Sequence, residues 1–179
     1  MPRADGAVIV IETPRLLLRR FTLDDAPFIL RLLNEPSFLQ FIGDKGVRTL
    51  DDARDYLREG PIASYEQHGF GLYLVTLRSD GANMGMCGLL KRETLQDVDI
   101  GFALVPEFWS QGYGLESAAA VLLHGKDAFG LKRIVGLARP ENHASISLLE
   151  KLGMKYEARV KIAPDGPEDV LLAINFGSN

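Results

Sequence analysis

The sequence predicts an α+β fold in one domain, with a mixed and mostly antiparallel sheet flanked by helices. Three observations carry that expectation. The chain has 179 residues, enough to bury one substantial core and too few for two comfortable ones. Its apolar residues recur at helical spacing as far as about residue 60, alternate or run together as β-formers from Phe70, and return to helical spacing after Pro106. Finally, three strand-like runs follow one another across short polar turns, before a helix, a strand, a helix and a last pair of strands. That order is a meander joined to a crossover, not a series of repeated βαβ units.

The elements follow from the residues in order. A polar leader over 1–9 precedes a domain over 10–176, and 177–179 form a tail. Leu16-Leu17-Leu18-Arg19-Arg20-Phe21 reads as the first strand, with an arginine-rich exposed face. Thr22 is placed to cap a first helix. Asp24 and Asp25 complement its dipole, and Ala26, Ile29, Leu30 and Leu33 share a face until Asn34-Glu35-Pro36 stops the run. A linker with Phe38, Phe41 and Ile42 follows. Thr49 caps a second helix whose face holds Ala53, Tyr56 and Leu57, ended or interrupted at Gly60-Pro61. The β-formers of 72–77 and 84–90 make a hairpin about Ser79-Asp80-Gly81-Ala82-Asn83, and a polar connection at 93–97 leads to a strand over 98–105. Beyond Gly112 and Gly114, the residues Leu115, Ala118, Ala119 and Leu122 give a helix one apolar face, closed at Phe129-Gly130. A strand over 132–139 ends at Pro140. Asn142 caps a short helix that buries Ile146, Leu149 and Leu152, and Gly153 terminates it. Strands over 155–162 and 169–176 flank the turn Pro164-Asp165-Gly166-Pro167.

Composition narrows the function. A net charge of −4 opposes broad nucleic-acid binding, which needs a basic surface, while leaving room for a cationic substrate. No apolar run reaches the eighteen or more residues of a membrane span, and Asp5 and Glu12 interrupt any signal-peptide core, so a cytoplasmic protein without a membrane partner is expected. Cys87 is the one cysteine and lies in an apolar run, as a buried structural thiol would. His68, His124 and His143 stand at no ligand-like spacing, so no metal site is expected.

The stretch over 106–120, Pro-Glu-Phe-Trp-Ser-Gln-Gly-Tyr-Gly-Leu-Glu-Ser-Ala-Ala-Ala, carries the chemistry. It leads from a strand through a turn with two glycines into a helix. The first N–H groups of such a helix lack internal partners, and the aligned peptide dipoles add roughly half a positive charge there. Gly112 and Gly114 let an anion approach the backbone, and a phosphate is the natural occupant. Ser117 stands where a dinucleotide-binding turn would need its third glycine, and no Gly-Lys-Ser/Thr follows, which excludes a P-loop.

With the order of elements and this turn in hand, the chain resembles the GNAT superfamily of acetyl-CoA-dependent N-acetyltransferases, and within it the ribosomal-protein-alanine N-acetyltransferase group. The resemblance covers about residues 10–176. It rests on Glu12-Thr13-Pro14-Arg15-Leu16-Leu17-Leu18-Arg19, on Gln111-Gly112-Tyr113-Gly114, and on Pro140-Glu141-Asn142-His143-Ala144-Ser145 with Leu149-Glu150-Lys151-Leu152-Gly153-Met154. It implies acetyl-CoA as cosubstrate and an amine acceptor, either a peptide N-terminus or a small molecule, in a monomer or homodimer. By the same resemblance the N–H groups of Gln111, Gly112, Tyr113, Gly114 and Leu115 hold the CoA pyrophosphate. The backbone at Ala103 and Leu104 pairs with the pantetheine arm, and Asn142 hydrogen-bonds CoA. Trp109 occupies the place where the family loop usually begins with Gln or Arg.

Acetyl transfer to an amine needs a proton acceptor for the amine and a donor for the leaving thiolate. Asp99, where related sequences often carry Glu, is the candidate base, acting through a water; a solvated strand carboxylate is the plainer reading. The family's tyrosine acid would fall at Leu149, so Ser145 becomes the candidate acid, against an ordinary role in helix capping. An N–H near Leu104 would stabilise the oxyanion. Trp109, Phe108 and Tyr113 are either an acyl-site wall or packing anchors. The missing tyrosine also admits a different class of function, a CoA-binding regulatory or interaction domain without turnover. The resemblance also implies an acceptor site around 34–48 and 163–168, built from the first two helices and the last hairpin.

Overall fold

The computed structural model describes residues 6–177. A hairpin opens the chain: β1 (Ile9–Glu12) and β2 (Leu16–Arg19), closed where the Thr13 N–H bonds the Leu16 carbonyl at 3.0 Å. The expected leader therefore ends in a strand, because Val8-Ile9-Val10-Ile11 is a β-branched run able to pair with β2.

Thr22 and Asp25 form a reciprocal capping box over a 3₁₀ turn (Leu23–Asp25) that leads into α1 (Ala26–Leu33). The expected linker that follows is instead a short helix, α2 (Pro36–Phe41). Pro36 stops α1 and also serves as the first residue of α2, where its missing N–H costs nothing. Thr49 and Asp52 box the start of α3 (Leu50–Leu57). Gly60-Pro61 interrupts rather than ends this segment: a π-turn over Arg58–Ile62 absorbs the proline, and α4 (Ala63–His68) continues to Gly69 in the left-handed region.

The meander appears as β3 (Leu72–Leu77), β4 (Asn83–Leu90) and β5 (Asp99–Leu104). A 3₁₀ turn (Pro106–Phe108) leads to the glycines and α5 (Tyr113–Phe129). After it come β6 (Arg133–Ala138), α6 (His143–Lys151), β7 (Lys155–Lys161) and β8 (Glu168–Asn175). The eight strands form one sheet in the order β1-β2-β3-β4-β5-β6-β8-β7, antiparallel throughout except for β5 beside β6. The α+β expectation, one mixed and mostly antiparallel sheet flanked by helices, describes it.

Two cores lie under the helices. One, with Tyr73, Val75, Cys87, Ile100, Val121 and Leu149, takes α5 and α6, and the other, with Ile29, Leu33, Phe38, Leu57, Leu74 and Met86, takes α1 to α3. The buried stripe of α5 is Ser117, Ala118, Val121, Leu122 and Gly125. Leu115 and Ala119, expected on that stripe, are exposed. Ser117 can replace them in the core because its hydroxyl donates back to the carbonyls of Tyr113 (2.9 Å) or Gly114 (3.1 Å), leaving no polar group unpaired. In α6, Leu149 is fully buried, whereas Ile146 and Leu152 are only partly so.

Candidate active site

The site begins where two parallel neighbours part. β5 and β6 pair only through Asp99–Val135 and Ile100–Gly136, although β5 continues to Leu104 and β6 to Ala138. Beyond Ile100 the strands splay. The Val105 N–H bonds the Met84 carbonyl on β4, so by alternation Ala103 and Gly101 also turn their backbone groups to β4, while Phe102 and Leu104 turn theirs to the gap. The Val135 N–H bonds the Val98 carbonyl, which places the even-numbered residues of β5 on the β6 side. The Leu104 carbonyl accepts from the Trp109 indole at 2.8 Å, so Trp109, although 47% exposed, is anchored across the mouth of the gap.

At the open end of β5 the chain makes its turn with Ser110 at φ 58° and Gly112 at φ 82°. Gly112 is the N-cap of α5, in a conformation that only glycine adopts without strain. A Cβ on Gly114 would lie 3.0 Å from Leu148 Cδ1, so the second glycine lets α5 and α6 close up. The N–H groups at this helix start, from Gln111 to Leu115, have no side-chain cap.

The N-terminal marker of the sequence holds this turn in place. Glu116, in the first turn of α5, accepts from Thr13 Oγ1 (2.7 Å), the Arg15 N–H (3.0 Å) and Arg15 Nε (2.7 Å). Burial alone would raise the Glu116 carboxyl, but the bonds from Thr13 and Arg15 outweigh it and hold the group below the usual carboxylate range. Arg15 Nη1 donates in turn to the Gln111 carbonyl at 3.0 Å, and the guanidinium lies 4.3 Å over the Tyr113 ring. Phe108 meets Tyr113 edge to face. Sequence reasoning quoted Thr13 and Arg15 as markers without assigning them this clamp.

Asn142 caps α6 and lines the cavity: its Oδ1 accepts from the Ser145 N–H at 3.2 Å, and its Nδ2 makes no hydrogen bond among the described residues. Ser145 lies on the wall of the same cavity. Leu149 does not face it. That side chain is 0% exposed, and a Cβ on Gly136 would lie 2.8 Å from its Cδ2, so α6 offers the core an aliphatic group where the family resemblance would put a hydroxyl.

One cavity of about 860 Å³ runs from Ser110, Gly112 and Leu115 along β5 past Asp99 to Phe38, Lys45, Tyr56, Arg92 and Asp169. It joins Asp99, Ser145, Ala103, Leu104, Trp109 and Asn142 with both stretches expected around the acceptor. Asp99 is 2% exposed and receives Arg92 Nε at 3.1 and 3.3 Å, so it is not a solvated strand carboxylate. Burial pushes its carboxyl up from the ordinary 3.8, and Arg92 only partly offsets this. Its neighbour Asp97 faces elsewhere and pairs with Arg133 at 3.0 Å. Arg139 pairs with Asp169 at 3.1 Å on the opposite wall. The sequence gives Tyr56 only as part of a helix face, Asp169 only as the start of a strand and Arg139 only as the end of one, and Arg92 no role, since each is ordinary in its own segment. The strand register supplies the one available signal, because Leu90 opposite Asp99 brings Arg92 back beside that carboxylate.

Among the described residues no helix is long and apolar enough to cross a membrane. The sequence model of the acetyltransferase (GNAT) domain matches residues 15–155. The uncharacterized N-acetyltransferase YnaD of Bacillus subtilis (strain 168) is 28% identical over 159 residues, covering 88% of this chain and 90% of that protein. The acetyltransferase from Agrobacterium tumefaciens str. C58 superposes with a TM-score of 0.78 at 21% identity, with 98% of each chain covered. The apo form of RimL, a ribosomal L7/L12 alpha-N-protein acetyltransferase, gives 0.82 at 18% identity over 98% of this chain and 99% of that one. The last two are likenesses of fold. The matched domain spans well over half of the sequence and includes the splayed strands, the glycine turn and α6, and this chain belongs to the GNAT acetyltransferase family.

Proposed function

We propose that the protein transfers the acetyl group of acetyl-CoA to a primary amine, at a peptide N-terminus or on a small molecule. The observation that carries this reading is the single cavity connecting an uncapped helix start, a strand with unpaired backbone groups and a buried carboxylate. The fold neighbour RimL has been seen in complex with coenzyme A, and its name gives a protein α-amine as its acceptor.

The chain's own groups fit the donor. N–H groups from Gln111 to Leu115 hold the pyrophosphate with help from the helix dipole, and the Arg15–Glu116 clamp keeps that turn in shape. Phe102 and Leu104, rather than Ala103, present backbone groups to the pantetheine arm, and Asn142 Nδ2 adds a donor. Acetyl-CoA supplies the thioester: the amine nitrogen bonds to its carbonyl carbon, the C–S bond breaks, and an amide and free CoA thiol result. Asp99 takes the proton from the amine through a water, since an ammonium nitrogen has no lone pair with which to attack. The Leu104 N–H stabilises the negative charge that develops on the carbonyl oxygen. Ser145 donates a proton to the thiolate and recovers one from solvent.

The burial of Leu149 favours a second reading, a CoA-binding domain without turnover. Release of free thiol from acetyl-CoA, measured with amine acceptors including peptides that begin with Ala or Ser, decides between them. Thiol release dependent on an acceptor supports acetyl transfer. Tight CoA binding with no release from any acceptor supports the second reading.

A further inference from the structure

We propose that the acceptor is a primary amine carrying a carboxylate close to the amine, held by Lys45 and Arg92, and that polyamines and other polycations are poor substrates. This rests on the acetyl-transfer reading and concerns the far end of the same cavity.

Three cations line that end, Lys45, Arg92 and Arg139, against two carboxylates, Asp99 and Asp169. Each carboxylate is already taken, Asp99 by Arg92 and Asp169 by Arg139. Glu35 also reaches this wall, but its carboxylate is drawn out to Arg31 at 3.3 Å. Lys45 is left over. Among the described residues no ion pair includes it, because its sequence neighbour Asp44 pairs with Arg48 and the cavity carboxylates pair with the two arginines. It lines the cavity from a turn between Gly43 at φ 123° and Gly46 at φ 72°, held by Asp44, whose carboxylate accepts from the Gly46 N–H at 2.8 Å and from Arg48. Arg92 is the hub of the group, with its field felt by Lys45, Tyr56, Asp99 and Asp169.

A ligand entering this end meets cations that outnumber the carboxylates left unpaired there. A polycation adds to the repulsion, whereas a carboxylate supplies the counter-charge that Lys45 lacks and can share Arg92. The same ligand's amine then lies beside Asp99, the carboxylate on the far side of Arg92. Phe38, Phe41 and Tyr56 make the rest of the wall, so the acceptor carries an apolar group as well. Two sources offer this chemistry: a free apolar α-amino acid, or a peptide with an acidic residue next to its N-terminus.

The test is a set of matched acceptors assayed by thiol release from acetyl-CoA. It comprises leucine against leucinamide, a peptide with Asp at its second position against the same peptide with Asn, and spermidine. A carboxylate held by charge-assisted bonds is expected to raise kcat/KM at least about tenfold over its neutral partner. The pair that shows the effect identifies the source. Lys45→Ala should shrink the preference and Lys45→Glu should reverse it, through acceptor KM with the acetyl-CoA KM unchanged. Equal rates within both pairs, or spermidine as the best acceptor, overturn the proposal. If no acceptor releases thiol, it is the acetyl-transfer reading that falls, and calorimetric titration of N-acetyl-leucine and its amide into the CoA complex decides this proposal separately. Tighter binding of the carboxylate by about tenfold upholds it, and equal binding overturns it.

Discussion

At the end of the cavity proposed to hold the donor, the groups assigned to the ligand are backbone N–H groups of consecutive residues, Gln111 to Leu115, set by one turn and one helix start. At the end proposed for the acceptor they are side chains from distant segments: Lys45 after α2, Tyr56 on α3, Arg92 after β4, Asp99 on β5 and Asp169 on β8. The first arrangement recognises an unchanging ligand part with atoms that substitution cannot remove. The second can be altered one side chain at a time without disturbing the sheet. If this division is real, substitutions at one end should leave the kinetic constants of the other end alone.

The largest effect is expected where the ends meet. Asp99→Asn removes the proposed proton acceptor and should lower kcat by about 10²- to 10⁴-fold while leaving CoA binding intact. Burial raises the Asp99 carboxyl above 3.8, and the ionised form is the active one, so wild-type kcat at saturating acceptor should fall as pH drops through a value above 3.8. That limb should vanish in the Asn variant. The stability effect runs the other way: a raised folded-state value means stability present at low pH is lost as pH rises through it. Asn cannot ionise and still offers Arg92 an acceptor, so the thermal midpoint at neutral pH should not fall. A variant that loses activity and stability together would make Asp99 structural and erase its place in the site.

Next in size is Gly112→Val. It forces a β-branched residue to φ 82° and sets a Cβ 3.2 Å from Arg15 Nη2. Left-handed backbone costs about 1–2 kcal/mol for an ordinary residue and more for a branched one, so the acetyl-CoA KM should rise about ten- to a hundredfold. Acceptor KM should be unchanged, and a matching rise there would break the division between the ends.

The same contrast explains what could be read from the sequence. The glycine turn, the caps at Thr22, Thr49 and Asn142, and the meander are local features, fixed by residues within a turn or two of each other, and the structure has them. Pro36 misleads because a helix-stopping residue is also a good helix starter, so α2 looked like linker. The buried stripe of α5 is displaced because Ser117, polar by type, satisfies its hydroxyl inside the helix, while Leu115 in the first turn borders the cavity. The proposed acceptor end is legible in the sequence only as two stretches of chain. Its decisive charge, Arg92, gains meaning from the pairing of β4 with β5.

Glu116→Gln tests whether the N-terminal segment belongs to the donor end. Gln keeps the shape but loses the charge that gathers Thr13 and Arg15, at a cost of about 1–2 kcal/mol. Because the native carboxyl is held below its usual range, its contribution is present at neutral pH and lost as pH falls through that lowered value. The wild-type and Gln thermal midpoints should therefore differ at neutral pH and converge in acid, with the acetyl-CoA KM raised up to about tenfold. A change in acceptor KM instead would place the clamp at the wrong end.

The smallest effect is expected for Ser145→Ala, about two- to fivefold in kcat, because water at the rim of the gap can also protonate a thiolate. Its interpretation is unusually clean. The group that Asn142 caps is the Ser145 N–H, which alanine retains, so the start of α6 stays satisfied and CoA binding should not change. Asn142→Ala is the contrasting variant: it removes the cap, worth about 1 kcal/mol, together with the Nδ2 donor, and should lower the thermal midpoint and raise the acetyl-CoA KM at once. If Ser145→Ala lowers kcat with an unchanged acetyl-CoA KM, the hydroxyl takes part in protonating sulfur. If kcat is untouched, solvent alone supplies that proton. The buried Leu149 would then mark a site that dispenses with a side-chain acid, leaving Asp99 and the backbone of β5 to perform the transfer.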